Sequence, residues 1–215
     1  MTLTFFIRLI EETDASRRDL EAIPKVQDML HGRFSHQQYQ KFLSDLYPIV
    51  WHFCPIMAAA ASRCMDDFIE VRLHLYDSIH EEKGHEKMVL NDLASLGVSA
   101  SEIIKASPSS AVQAMIGSNY YMAERCHPCS VLGMLYVLEI ISSVYGGQVA
   151  SAIASGLDRP LSLGFSFLES HASMDLDHMS KLRTLLQSIE LPDAQNALIN
   201  SVKTNFYLFM QVLKG

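Results

Sequence analysis

The chain has no run of lysines and arginines: its 17 basic residues are scattered among 24 acidic ones, for a net charge of −7. Nucleic-acid binding is driven by neutralising phosphates, so a large nucleic-acid footprint is excluded and a small-molecule substrate or another protein is the expected partner. Nor does any stretch approach the ~20 uninterrupted apolar residues that cross a bilayer, although positions 48–62 are apolar apart from His52. The N-terminal MTLTFFIRLIEETDASRRDL has no basic leader and no small-residue cleavage site, which predicts a cytoplasmic protein without membrane association. Cysteine is scarce. Four thiols, at 54, 64, 126 and 129, in 215 residues make no disulfide framework and are expected to be reduced. Cys126 and Cys129 form a lone CxxC around His127 and Pro128, with no second CxxC and no strand pattern before it. A helix start with two small buried side chains fits better than redox or zinc chemistry.

Period-two alternation, internal repeats and low-complexity segments are also missing, whereas apolar residues recur at helical spacing almost everywhere. With 49% hydrophobic residues, the chain is expected to fold as one all-α domain over residues 1–215. The pattern predicts a helix over 14–31, with Asp14 or Ser16 as cap and a bend at the pre-proline residue Ile23. A longer helix starts after Ser35 and runs towards Cys64 with a kink at Pro48 or Pro55. A third covers 66–96 and is ended by Gly97. Beyond the serine-rich connector at 107–110, helices are expected at 110–125, 128–157, 162–189 and 193–213, with Pro128, Pro160 and Pro192 near their starts. Gly146 and Gly147 interrupt an otherwise apolar helix, which points to a kink or a close backbone approach.

Three places carry residues suited to chemistry. In HASMDLDHM, His171, Asp175 and His178 are four and then three residues apart, which puts them within about 60° of one another on one helix face. Asp177 points elsewhere. In HEEKGHEKM, Glu82 precedes His85 by three residues and Glu81 precedes it by four, the pairing by which helical bundles hold iron or manganese. Glu139, in LGMLYVLEIISSVYGG, is the only acid between Glu124 and Asp158; a carboxylate among such apolar neighbours needs a compensating partner, and a cation is one. Three imidazoles and three carboxylates suit iron or manganese better than zinc. Each piece also has a plain reading, since histidines and acids at helical spacing are commonly a solvated face. Glu139 resists that reading best.

EKGHEKMVLNDLASLG at 82–97, LGMLYVLE at 132–139 and the His171, Asp175, His178 helix together resemble the heme-oxygenase-like diiron oxidases and oxygenases. The resemblance spans roughly residues 15–210 and implies a helical bundle of about seven helices, the fold shared with heme oxygenases, thiaminases and pyrroloquinoline-quinone synthases. It implies that Glu82, His85, Glu139, His171, Asp175 and His178 bind two irons, with Glu82, Glu139 and Asp175 as the catalytic carboxylates and Glu81 as the alternative to Glu82. Some members add a carboxylate from an earlier helix, but YPIVWHFCP has none; His52 is there instead, facing either the pocket or the core. LGMLYVLEIISSVYGGQ also resembles the distal helix of bacterial heme oxygenases. Those enzymes carry a proximal histidine three residues before a Leu-Glu pair; here that pair is Leu20 and Glu21 and the position is Arg17, which cannot be a neutral axial ligand.

The resemblance therefore implies a non-heme diiron enzyme that uses dioxygen to oxidise a small organic molecule, an amino acid or fatty acid derivative. The reactions it brings in are carbon–carbon cleavage, desaturation, nitrile formation and N-oxygenation, in natural-product biosynthesis, with electrons from a redox partner or external reductant. Manganese is the alternative metal, and a homodimer is compatible with the fold. Two rivals stand beside it: a thiaminase-like, metal-free hydrolase with Cys129 or Cys54 as nucleophile, and a non-catalytic bundle that binds an apolar ligand.

Overall fold

The computed structural model describes residues 4–215, apart from the side chains of residues 172–177. Among the described residues there is no strand. Eleven α-helices follow one another: α1 Phe5–Glu21, α2 Pro24–Leu30, α3 His36–Ala61, α4 Ile69–Glu82, α5 Glu86–Ser95, α6 Ala100–Lys105, α7 Ser110–Arg125, α8 Val131–Ile141, α9 Gly147–Gly156, α10 Ser166–Ser188 and α11 Pro192–Lys214.

Most of the expected helices appear, some in pieces. The first begins at Phe5, because Phe5, Leu9, Thr13 and Leu20 form one buried stripe that extends the element towards the N-terminus. Asp14 and Ser16 lie inside it rather than capping it, and Asp14 pairs with Arg17 at 3.0 Å and Arg18 at 3.2 Å. Ile23 does not bend a helix but ends one: it is extended, with ψ 127°, and caps a separate α2 that opens on Pro24, as the steric restriction before proline requires. Ser35 does cap α3, with the Gln38 amide donating to its hydroxyl oxygen and the Gln38 side chain accepting from the Ser35 amide. Both Pro48 and Pro55 lie within that helix. Gly97 takes the left-handed φ of +85° after α5. The short α6 was not foreshadowed, and the predicted 162–189 helix begins only at Ser166.

The predicted 66–96 helix is two helices. Glu82 is the last residue of α4, and Gly84, at φ +94°, turns the chain before α5 begins at Glu86. The predicted 128–157 element is continuous but not uniform: α8 passes into a π-helical turn, Ser142–Gly146, and then into α9. This stretch, Pro128–Gly156, is long and apolar enough by composition to cross a membrane, although Glu139 interrupts its apolar run. It is the central helix of the bundle, packed on α10 and α11, with Val131 to Val137 and Glu139 all buried.

Close helix contact explains one glycine. A Cβ on Gly133 of α8 would lie 2.6 Å from Ser201 Cβ and 2.9 Å from the Val202 amide of α11. Elsewhere α11 is keyed to α7 by reciprocal amide hydrogen bonds between Asn119 and Asn205, at 2.8 and 3.1 Å. Gly133→Ala should push α8 from α11 and lower stability by about 1–3 kcal/mol in urea unfolding, the usual cost of overpacking.

Candidate metal centre

Helix α10 carries two of the predicted histidines, and its position is set by a residue that the sequence reading did not single out. Asp92 on α5 is 3% exposed. Its Oδ1 accepts from the Ser166 amide at 3.0 Å and the Ser166 hydroxyl at 2.8 Å, and its Oδ2 accepts from the Phe167 amide at 2.8 Å. A carboxylate from one helix thus caps the positive end of another. The preceding loop is fixed to α3 by Tyr39, whose hydroxyl donates to the Gly164 carbonyl at 2.8 Å while its ring stacks on Phe165 at 4.7 Å.

One turn and a half into α10, His171 is buried at 7% exposure. Its Nδ1 lies 2.8 Å from the Phe167 carbonyl. A carbonyl only accepts, so Nδ1 holds the proton and Nε2 turns its lone pair inward. That Nε2 meets His85 Nδ1 at 3.0 Å and Glu82 Oε2 at 3.6 Å. His85 Nδ1 is also 2.8 Å from Glu82 Oε2. Glu82 and His85 therefore do converge, but through the Gly84 turn at the α4–α5 junction and not through the periodicity of one helix. The other Glu82 oxygen, Oε1, faces His178 Nδ1 at 3.7 Å. Burial pushes the Glu82 carboxyl up, yet when His171 and His85 are doubly protonated their polar contacts and charge outweigh it and hold the group down at about 2.

Glu81 takes a different place: it is more exposed and bonds His178 Nε2 at 3.2 Å and Lys181 Nζ at 3.0 Å. Glu139 is 8% exposed and lines the same cavity as Glu82 and His171. The proposed ligand Asp175, like Asp177, lies outside the described side chains. His74 on α4 was missed; its Nε2 is buried without a hydrogen bond, and burial lowers its pKa. No motif marks it, since it stands seven residues before Glu81 among ordinary helix residues.

Other candidates lie elsewhere. His52 bonds the Tyr120 hydroxyl at 3.0 Å and faces an outer hollow with Trp51. Arg17 is engaged by Asp14. All four cysteines are free. Burial pushes the Cys129 thiol up to about 12 and the Cys54 thiol up to about 11, Cys54 also feeling the charges of Glu82 and Glu86, the opposite of an activated nucleophile.

The residues fit a metal on their own chemistry. Donor atoms of Glu82, His85 and His171 all lie within 4.8 Å of one another. With the His171 Nδ1 proton committed to Phe167, a single proton on His85 Nδ1 lies between the His171 Nε2 lone pair and a Glu82 oxygen; a divalent cation in its place would accept an electron pair from each of the three residues. A model of known families matches residues 40–210 and is described as "iron-containing redox enzyme". The chain belongs to that family. The chain shares its fold with solved heme-oxygenase-like proteins. A domain of unknown function from Shewanella denitrificans superposes with TM-score 0.84 at 22% identity, covering 95% of this chain and 88% of that one. A TenA homologue from Pseudomonas syringae gives 0.81 at 16%, covering 96% and 90%. The heme oxygenase of Leptospira interrogans gives 0.76 at 19%, covering 98% of each. No curated protein matches the sequence.

Asp92→Ala leaves two amides and a hydroxyl at the α10 N-terminus without their acceptor, and should cost roughly 3 kcal/mol. Asp92→Asn keeps an acceptor oxygen and should fall between it and the wild type in thermal unfolding of the metal-free protein.

Proposed function

We propose that this iron-containing redox enzyme is a non-heme diiron oxidase or oxygenase, holding its metals with Glu82, His85, Glu139, His171, His178 and Asp175. The observation that carries the reading is the Glu82 carboxylate, whose two oxygens face different imidazoles: His85 and His171 on one side, His178 on the other. A carboxylate so placed is suited to lie between two cations. Iron, when bound, would supply the electrons and Lewis acidity for reducing dioxygen.

The chain's own contribution is placement and exclusion of water. Phe167 fixes the His171 tautomer through its carbonyl and covers the imidazole with its ring, 4.0 Å between centroids. Beyond the ligands, a cavity of about 1000 Å³, its open mouth included, is walled by Phe42, Leu46, Ile49, Phe53 and Phe209 among others. Such a wall keeps bulk water from the reacting atoms. A heme reading is disfavoured, because α1 has no histidine and His171, among the described residues the one imidazole on the cavity wall, is turned to Glu82 and Phe167. The substrate is a small organic molecule, oxidised with dioxygen as co-substrate and electrons from a redox partner or external reductant.

Anaerobic titration with ferrous iron should reach two ions per chain, and oxygen uptake should require them. His171→Ala and His178→Ala should each lower the stoichiometry. A wild-type value of one or none, or oxygen uptake that survives chelation, would contradict the dinuclear assignment.

A further inference from the structure

The cavity that adjoins the ligand cluster has few polar groups. Among its described lining residues the charged side chains are Glu82 and Glu139, both acidic, and no lysine or arginine is present. An amino acid would bring a carboxylate that finds no cationic side chain here. The remaining polar lining groups are His171, Ser142 and Tyr145. His171 belongs to the cluster, and the Tyr145 hydroxyl donates to Glu21. That leaves Ser142.

Ser142 opens the π-helical turn, one turn beyond Glu139. A serine within a helix either faces solvent or donates back to a carbonyl three or four residues earlier. Its neighbour Ser143 finds such a local partner in the Ile140 carbonyl at 3.3 Å. The Ser142 oxygen is buried and has no hydrogen bond. A buried hydroxyl left unpaired is destabilising unless a ligand completes it, and π turns are frequent where a helix borders a functional site.

We propose that the cavity binds a substrate made of an aliphatic chain with one hydrogen-bonding group, and that the Ser142 hydroxyl bonds that group one turn from Glu139. The chain would lie along Leu46, Ile49, Val149 and Phe209, where burial of each methylene adds affinity. This names the substrate class for the oxidase reading and rests on it for the reaction. Binding itself is testable without metal.

Calorimetry of metal-free protein with hexan-1-ol, octan-1-ol and decan-1-ol, uncharged probes that the two carboxylates do not repel, should show affinity rising about three- to fourfold per methylene. Ser142→Ala should weaken all three alcohols by roughly five- to tenfold and leave the increment per methylene unchanged, which a general loosening of the cavity would not. Ser142→Thr should restore binding. Val149→Phe should fill the cavity and abolish alcohol binding while ferrous stoichiometry stays as in the wild type. Affinity independent of chain length, an undiminished Ser142→Ala protein, displacement of decan-1-ol by free lysine, or persistent binding to Val149→Phe would overturn the proposal. Alcohol binding with no iron uptake would instead remove the oxidase reading and leave the cavity assignment standing.

Discussion

The site depends on one buried carboxylate. Removing Asp92 from water is costly, and the cost is offset because its oxygens accept two amides and a hydroxyl at the positive end of α10. The same contact fixes α10 along its own axis against α5. Once Ser166 and Phe167 are held, His171 and His178 follow at helical intervals, facing the α4–α5 junction where Glu82 and His85 sit. A shift of α10 by a single residue would rotate both imidazoles by about 100° and dissolve the cluster.

Within the cluster, Glu82 is the hub. It can be charged in a buried place because imidazoles surround it, and they are held there by groups with other duties: Phe167 orients His171, and Gly84 swings His85 back over the end of α4. Outside this hub the surroundings turn apolar at once. That juxtaposition separates the molecule from a bundle that merely packs histidines against acids on a wet surface, because there the carboxylates would need no help from their neighbours.

Much of this could be read in advance, and the exceptions have physical causes. Residue type and spacing singled out Glu82, His85, Glu139, His171 and His178 as candidates, and donor atoms of Glu82, His85 and His171 do come within 4.8 Å of one another; Glu139 stood out because an acid in apolar surroundings is conspicuous. The all-helical fold was equally plain from the periodicity. The break at Gly84 was hidden because charged residues on both sides continue a helical pattern, and an isolated glycine inside such a pattern is tolerated at a cost of about 1 kcal/mol. The early start of α1 was masked by mixing of apolar and charged residues, and only packing on α11 shows which of them are inward. Asp92 looked like an ordinary helix acid, for a cap supplied from a distant helix leaves no local signature. Ser142 was equally silent, because a π turn is a product of how α8 meets α10 and no single residue announces it.

The central proposal is that Glu82, with His85 and His171 at one oxygen and His178 at the other, would help hold two metal ions. Crystals grown anaerobically with ferrous iron, measured at the iron absorption edge, test it directly. Two anomalous peaks flanking the Glu82 carboxylate, one beside His85 and His171 and the other beside His178, are the predicted result. A single peak, or peaks that leave Glu82 uncoordinated, would contradict it.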